Sequence, residues 1–140
     1  MKSMYKLDGV EVRKAPGKGR GVFATRAFKK GEAVEISPVV AMTNGDGEIA
    51  ACTKLGEYTF NIGSDTSDGC AMALGYAALY NHSAKGENCL YTLSESVIVV
   101  TALRDIKKGE ELLFNYGWDN DTLAERGIEP DQEDDEDDII

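Results

Sequence analysis

Three short clusters hold the residues best suited to chemistry. Tyr80-Asn81-His82-Ser83 carries the only histidine of the 140-residue chain, flanked by a carboxamide and a hydroxyl. These groups can bind a ligand or simply satisfy the backbone where the chain leaves its core, since buried polar groups need partners. A Ser/His hydrolase using Ser83 and His82 fails on geometry, because neighbours on an extended chain point to opposite faces. Nor is there a Gly-x-Ser-x-Gly elbow. In Lys18-Gly19-Arg20-Gly21-Val22-Phe23-Ala24, glycines around cationic residues let backbone approach a ligand closely. Taken alone, the segment reads as a plain turn. In the third cluster, Gly109 to Gly117, alternation places Leu112, Phe114 and Tyr116 on one strand face. By itself that is a core strand ending in a half-buried tyrosine.

The elements that must position these clusters are short strands separated by glycine turns. Val10 to Lys14 alternates, Ala15-Pro16-Gly17-Lys18-Gly19 interrupts it, and Gly21 to Ala24 resumes an extended run. Glu32 to Ile36 and Tyr58 to Ile62 read as strands, with Asn44-Gly45-Asp46-Gly47 marking a loop between them. Ala71 to Tyr80 is small and apolar, and periodicity leaves it open between a helical turn and a strand. Asn88 to Thr92 pairs with the β-branched run Ser96 to Ala102, and Glu111 to Phe114 is the last strand. A short late helix is expected over Thr122 to Arg126. Lys29-Lys30-Gly31-Glu32 and Lys107-Lys108-Gly109-Glu110 are identical, so one tight turn is expected twice. The class is mostly β, in a single domain.

Composition narrows the function. Hydrophobic residues make up 42%, no apolar run is long enough to span a bilayer, and Met1 to Tyr5 lacks a signal-peptide core. A cytoplasmic or nuclear protein with no membrane contact is expected. Cys52, Cys70 and Cys89 are odd in number and form no C-x-x-C pair, so they read as small buried residues, with no disulfides and no metal. Net charge is −10, and Asp131 to Asp138 holds seven carboxylates; without them the body carries −3. Like charges that bury nothing predict a disordered tail over 131–140. Such a tail either solvates the chain or speeds encounter with a basic partner. Direct nucleic-acid binding is disfavoured, because phosphate contact needs a cationic face.

Taken together and in this order, the clusters resemble the SET-domain lysine methyltransferases, and in particular their minimal viral and microbial members. Lys18 to Ala24 is similar to that family's first cofactor segment, and Asn81-His82-Ser83 matches its Asn-His-Ser motif. Asn88 falls near a further family asparagine. Glu111-Leu112-Leu113-Phe114-Asn115-Tyr116-Gly117 resembles its final motif. The resemblance implies a SET-domain (β-clip) fold of small curled sheets with a C-terminal pseudoknot over 10–117. An N-terminal extension (1–9) would precede it, and a lid or flank (118–130) would follow.

It further implies S-adenosyl-L-methionine as cofactor, held by Lys18, Gly19, Arg20, Tyr58, Asn81 and His82. Tyr116 would be the catalytic tyrosine, with Tyr58 and Phe114 beside it in a substrate channel. Phe114 in place of a tyrosine would leave room for more than one methyl. The implied substrate is a lysine on a basic protein such as a histone tail. Many relatives close the site with a zinc-binding cysteine cluster; here Trp118-Asp119-Asn120-Asp121 has no cysteine, which leaves open what closes the adenine side, with Trp118 or Leu123 as candidates. A homodimer that completes the site is a further expectation. The alternative is a SET-like module that binds peptide or cofactor without turnover, which calorimetry with the cofactor would distinguish.

Overall fold

The computed structural model describes residues 4–62, 69–117 and Asp121. The expected disordered tail, the late helix, and the lid residues Trp118 and Leu123 lie outside the described residues. Among the described residues, nine strands form two sheets. β1 (Val10–Ala15), β2 (Gly19–Ala24), β9 (Glu111–Phe114) and β6 (Asn81–His82) lie in the order β1-β2-β9-β6. The second sheet runs β4 (Thr59–Asn61), β5 (Cys70–Ala73), β3 (Ala33–Met42), β8 (Val97–Ala102) and β7 (Cys89–Leu93). Period-two patterning explains the core. On β8, Ile98, Val100 and Ala102 are buried while Val97, Val99 and Thr101 are half-buried, and the inward set meets Val22, Phe28 and Leu112. Each large apolar side chain so buried stabilises the fold by about 2 kcal/mol.

The repeated Lys-Lys-Gly-Glu turns clamp each other. Phe28 and Ile106 form an antiparallel bridge between the two segments. Gly31 N–H donates to Ala102 O and Gly109 N–H donates to Ala24 O, both at 2.8 Å. Ala102 N–H returns a bond to Glu32 O (3.0 Å), as Ala24 N–H does to Glu110 O (2.9 Å). Both glycines adopt positive φ, +86° and +92°, where a side chain would be strained. Glu32 and Glu110 each accept from the lysine N–H three residues earlier and pair with Arg26 and Arg104 respectively. One local solution therefore joins the two sheets twice.

Several sequence expectations are corrected. Asn44-Gly45-Asp46-Gly47 is the first turn of a helix, α1 (Asn44–Ala51), and not a loop. Thr43 caps it, accepting from Asp46 N–H at 3.3 Å, and Asp46 suits the positive helix end. The glycines that obscured it have a packing role: a Cβ at Gly47 would lie 2.9 Å from Cys70 Sγ. β3 runs on past Ile36 to Met42. Tyr58 closes a 3-10 turn, Lys54–Tyr58, so strand begins only at Thr59. The small apolar run is both candidates in turn, strand at Cys70–Ala73 and a 3-10 turn at Ala77–Leu79. Cys70 and Cys89 are buried as expected, but Cys52 is exposed at the end of α1.

The last strand is threaded. β9 pairs antiparallel with β2 (Val22↔Leu112) and parallel with β6 (Asn81↔Leu113, His82↔Phe114). The segment joining Ser83 to Asn88 crosses it: Ser83 N–H bonds Phe114 O at 2.8 Å and Asn88 N–H bonds Leu113 O at 3.2 Å. The buried Asn88 side chain completes the crossing, donating to Glu111 O and accepting from Leu113 N–H, both at 2.8 Å.

Candidate active site

Threading brings the three clusters together. Lys18 leads into β2, which Gly19 and Arg20 open and which pairs with β9. Asn81 Nδ2 donates to Arg20 O at 2.8 Å and to Glu111 Oε2 at 2.7 Å. Lys18 Nζ pairs with the other oxygen of that carboxylate at 3.1 Å. Gly21 leaves the space these side chains occupy: a Cβ would sit 2.4 Å from Glu111 Oε2 and 2.8 Å from Asn81 Nδ2 and would push one of them aside. In the sequence Glu111 is one residue of the final motif, with no local sign of this role. Its link to Lys18 and Asn81 depends on β9 lying between β2 and β6, which no local pattern reveals.

Tyr116 follows immediately. Its backbone N–H donates to His82 Nδ1 at 3.0 Å, and the two rings lie 5.0 Å apart. With Nδ1 accepting, a neutral imidazole carries its proton on Nε2. The Tyr116 hydroxyl donates to the backbone carbonyl of Tyr80. Burial first, then the Glu111 carboxylate and the Tyr58 phenol, push the Tyr116 hydroxyl up to about 12. It therefore stays protonated at neutral pH.

Beyond Tyr116 opens a cleft of ≈ 780 Å³, walled by Tyr58, Phe60, Tyr80, Tyr91, Phe114 and Tyr116. Tyr80 stacks on Phe114 with centroids 4.4 Å apart and planes 4° from parallel. Tyr91 meets Phe114 edge-on at 5.4 Å and Phe60 at 4.8 Å. Glu48 and Glu57, from α1 and the 3-10 turn after it, add carboxylates to the lining. Of the residues singled out in the sequence, Tyr58, Phe114 and Tyr116 line this cleft, while at the adjoining turn Arg20 meets Asn81 and Lys18 meets Glu111. Tyr58 thus lies on the cleft side of Tyr116. The walls contributed by Phe60, Tyr80 and Tyr91 went unassigned, because strand alternation shows which face a residue takes but not what faces it.

Two curled sheets, a threaded last strand and a tyrosine where an aromatic cleft meets a polar turn define a β-clip protein with one composite site. The SET-domain family profile matches residues 19–117. The chain belongs to the SET-domain family. A Danio rerio N-lysine methyltransferase, KMT5A-A, is 34% identical over 131 residues, covering 79% of this chain and 36% of that protein. The Schizosaccharomyces pombe histone-lysine N-methyltransferase specific for H3 lysine-37 is 33% identical over 131 residues, covering 89% of this chain and 86% of that protein. The chain therefore spans about a third of the zebrafish relative and most of the yeast one. Chaetomium thermophilum Polycomb Repressive Complex 2 bound to S-adenosylmethionine matches with a TM-score of 0.64 at 25% identity, over 85% of this chain and 17% of that one.

The residues present fit S-adenosylmethionine, which carries a cationic sulfonium and amine and an anionic carboxylate. Lys18 and Arg20 offer exposed cations, while Glu111 and Asn81 offer a carboxylate and a carboxamide beside them. A Cβ at Gly19 would meet nothing within 4 Å, so backbone there is open to a ligand.

Proposed function

We propose that the chain is an S-adenosylmethionine-dependent protein-lysine N-methyltransferase whose substrate is a lysine on a basic protein such as a histone tail. The observation that carries this reading is the placement of Tyr116: its ring lines the aromatic cleft, while its backbone is held by His82, next to Asn81 and the Lys18–Arg20 turn. Lysine binding is assigned to the cleft and cofactor binding to Lys18, Gly19, Arg20, Asn81 and His82. The names of the yeast and zebrafish relatives support the same activity. A histone substrate also keeps the expected place of action cytoplasmic or nuclear. Among the described residues, no helix is long and apolar enough to cross a membrane.

The chemistry follows from the residues. A free lysine has a pKa of about 10.4, so at neutral pH it lacks the lone pair needed to attack. Desolvation against the aromatic walls disfavours its ammonium form. Bound S-adenosylmethionine supplies an electrophilic methyl on a cationic sulfonium. The Tyr116 hydroxyl, fixed by Tyr80, orients the amine and does not take its proton, because its own proton is held to about 12. The Tyr80 carbonyl adds a fixed dipole at the same point.

The test is transfer of radiolabelled methyl to histones, with Tyr116→Phe assayed beside wild type. Labelled lysine from wild type alone supports the reading; equal labelling by both proteins places the site elsewhere.

A further inference from the structure

Beneath the aromatic wall lies a carboxylate that methyl transfer itself does not use. Glu35, on β3, is fully buried. Its Oε1 accepts from the Tyr80 hydroxyl at 2.9 Å. Its Oε2 accepts from Ser37 Oγ at 2.7 Å, Tyr76 N–H at 2.8 Å and Ala77 N–H at 3.1 Å. A buried carboxylate is tolerated only when its oxygens are supplied with donors in this way. The chain closes tightly around it: a Cβ on Gly75 would lie 2.0 Å from Ser37 Oγ and 2.5 Å from Glu35 Oε2.

Three of the four donors, Tyr76, Ala77 and Tyr80, belong to one segment, while Ser37 lies on β3 beside Glu35. Tyr76 and Ala77 begin the 3-10 turn Ala77–Leu79, which delivers the chain to Tyr80. Glu35 therefore grips Tyr80 twice, by its phenol and through the backbone turn leading into it. Tyr80 in turn stacks on Phe114 and accepts the Tyr116 hydroxyl at its carbonyl. We propose that Glu35 is a positioning residue for methyl transfer, setting the Tyr116 hydroxyl and the Phe114 wall through Tyr80. This rests on the reading of the cleft as the lysine site. Glu35 touches neither substrate nor cofactor in this scheme. Its effect is mechanical, because a hydroxyl misplaced by a fraction of an ångström orients the amine poorly.

The test compares Glu35→Gln, Tyr80→Phe and the double variant in the full chain. Tyr80→Phe deletes one oxygen and keeps the ring stacked on Phe114. Glutamine has a single acceptor oxygen, so with that oxygen on the backbone N–H groups its amide must donate to the Tyr80 hydroxyl, reversing that bond and turning the phenol proton away from residue 35. Each single variant is expected to lower kcat by about tenfold, with peptide KM and cofactor Kd changed by less than about twofold. The double variant should be no slower than the worse single one, as expected for residues on one path. In protein labelled with ¹³C-tyrosine, the Tyr116 ring resonance should move in all three. An unmoved Tyr116 resonance, additive losses, or a change confined to KM would overturn the proposal. If the wild-type chain methylates no lysine while the resonance still moves, the functional reading fails and the Glu35–Tyr116 linkage stands. Should Glu35→Gln not fold, Ser37→Ala with Tyr80→Phe tests the same linkage from the other oxygen.

Discussion

Tyr116 donates its backbone N–H to His82 Nδ1 at 3.0 Å, so the histidine holds the tyrosine's main chain rather than its hydroxyl. The hydroxyl is held separately, by the carbonyl of Tyr80. Two consequences follow for substitutions at this pair. Tyr116→Phe keeps the backbone bond and the ring contact, so cofactor Kd should be unchanged while kcat falls by about a hundredfold or more. His82→Ala removes the acceptor and leaves a part-buried N–H unsatisfied, which costs about 1–3 kcal/mol. That variant should lose thermal stability as well as turnover. Melting curves beside steady-state kinetics distinguish the two.

Alkaline pH should weaken the fold before it ionises Tyr116. Burial pushes the Cys89 thiol from its ordinary 9.0 to about 12, and Tyr116 from 10.0 to about 12. Both groups keep their protons longer in the folded chain than in the unfolded one. Their contribution to stability is therefore whole below pH 9 and is lost progressively as pH rises toward about 12. Thermal melts between pH 8 and 11 should show a falling midpoint. Over the same range the initial rate of a still-folded enzyme should rise as substrate lysine deprotonates, with no falling limb from Tyr116. A rate that declines above pH 8 while the fold persists would contradict this.

Phe114→Tyr should restrict how many methyls are added. Phe114 is 2% exposed, enclosed by Tyr80 and Tyr91. A hydroxyl here needs a hydrogen-bonding partner and would retain a water in space that Phe114 leaves for a methylated amine. Mass spectrometry of a lysine peptide after long incubation should show di- or trimethyl product from wild type and a shift toward monomethyl from the variant.

Asn88→Ala tests the threading. Its side chain bonds β9 twice, at Glu111 O and Leu113 N–H. Losing both inside the core should cost about 2–6 kcal/mol, each unsatisfied group contributing about 1–3. Hydrogen exchange at Leu113 should accelerate more than exchange in β8, since the Leu113 N–H loses its acceptor while β8 keeps both its neighbours in the other sheet.

Gly21→Ala probes the polar turn. The added methyl must displace Glu111 or Asn81. Cofactor Kd is therefore expected to rise by about tenfold, with peptide KM little changed, as calorimetry and kinetics would show.

Much of the framework is legible in local pattern. Alternation marks β1, β8 and β9, and the paired Lys-Lys-Gly-Glu turns announce one geometry used twice. The motif residues Asn81, His82 and Tyr116 are identifiable because their order and spacing lie along one chain. α1 was hidden, because glycines at 45 and 47 argue for a loop, while the reason for Gly47 is Cys70 on another element.

By itself, the amino-acid order determined which faces of the strands are apolar, where the turns fall and which residues could bear the chemistry. These are matters of periodicity and backbone preference within a few residues. Only the tertiary structure decided that β9 runs between β2 and β6, and hence that Glu111 meets Lys18, that Tyr80 receives Tyr116, and that Glu35 underpins both. Those contacts join residues tens of positions apart. They form because closing the sheets buries apolar faces that no single segment can bury alone.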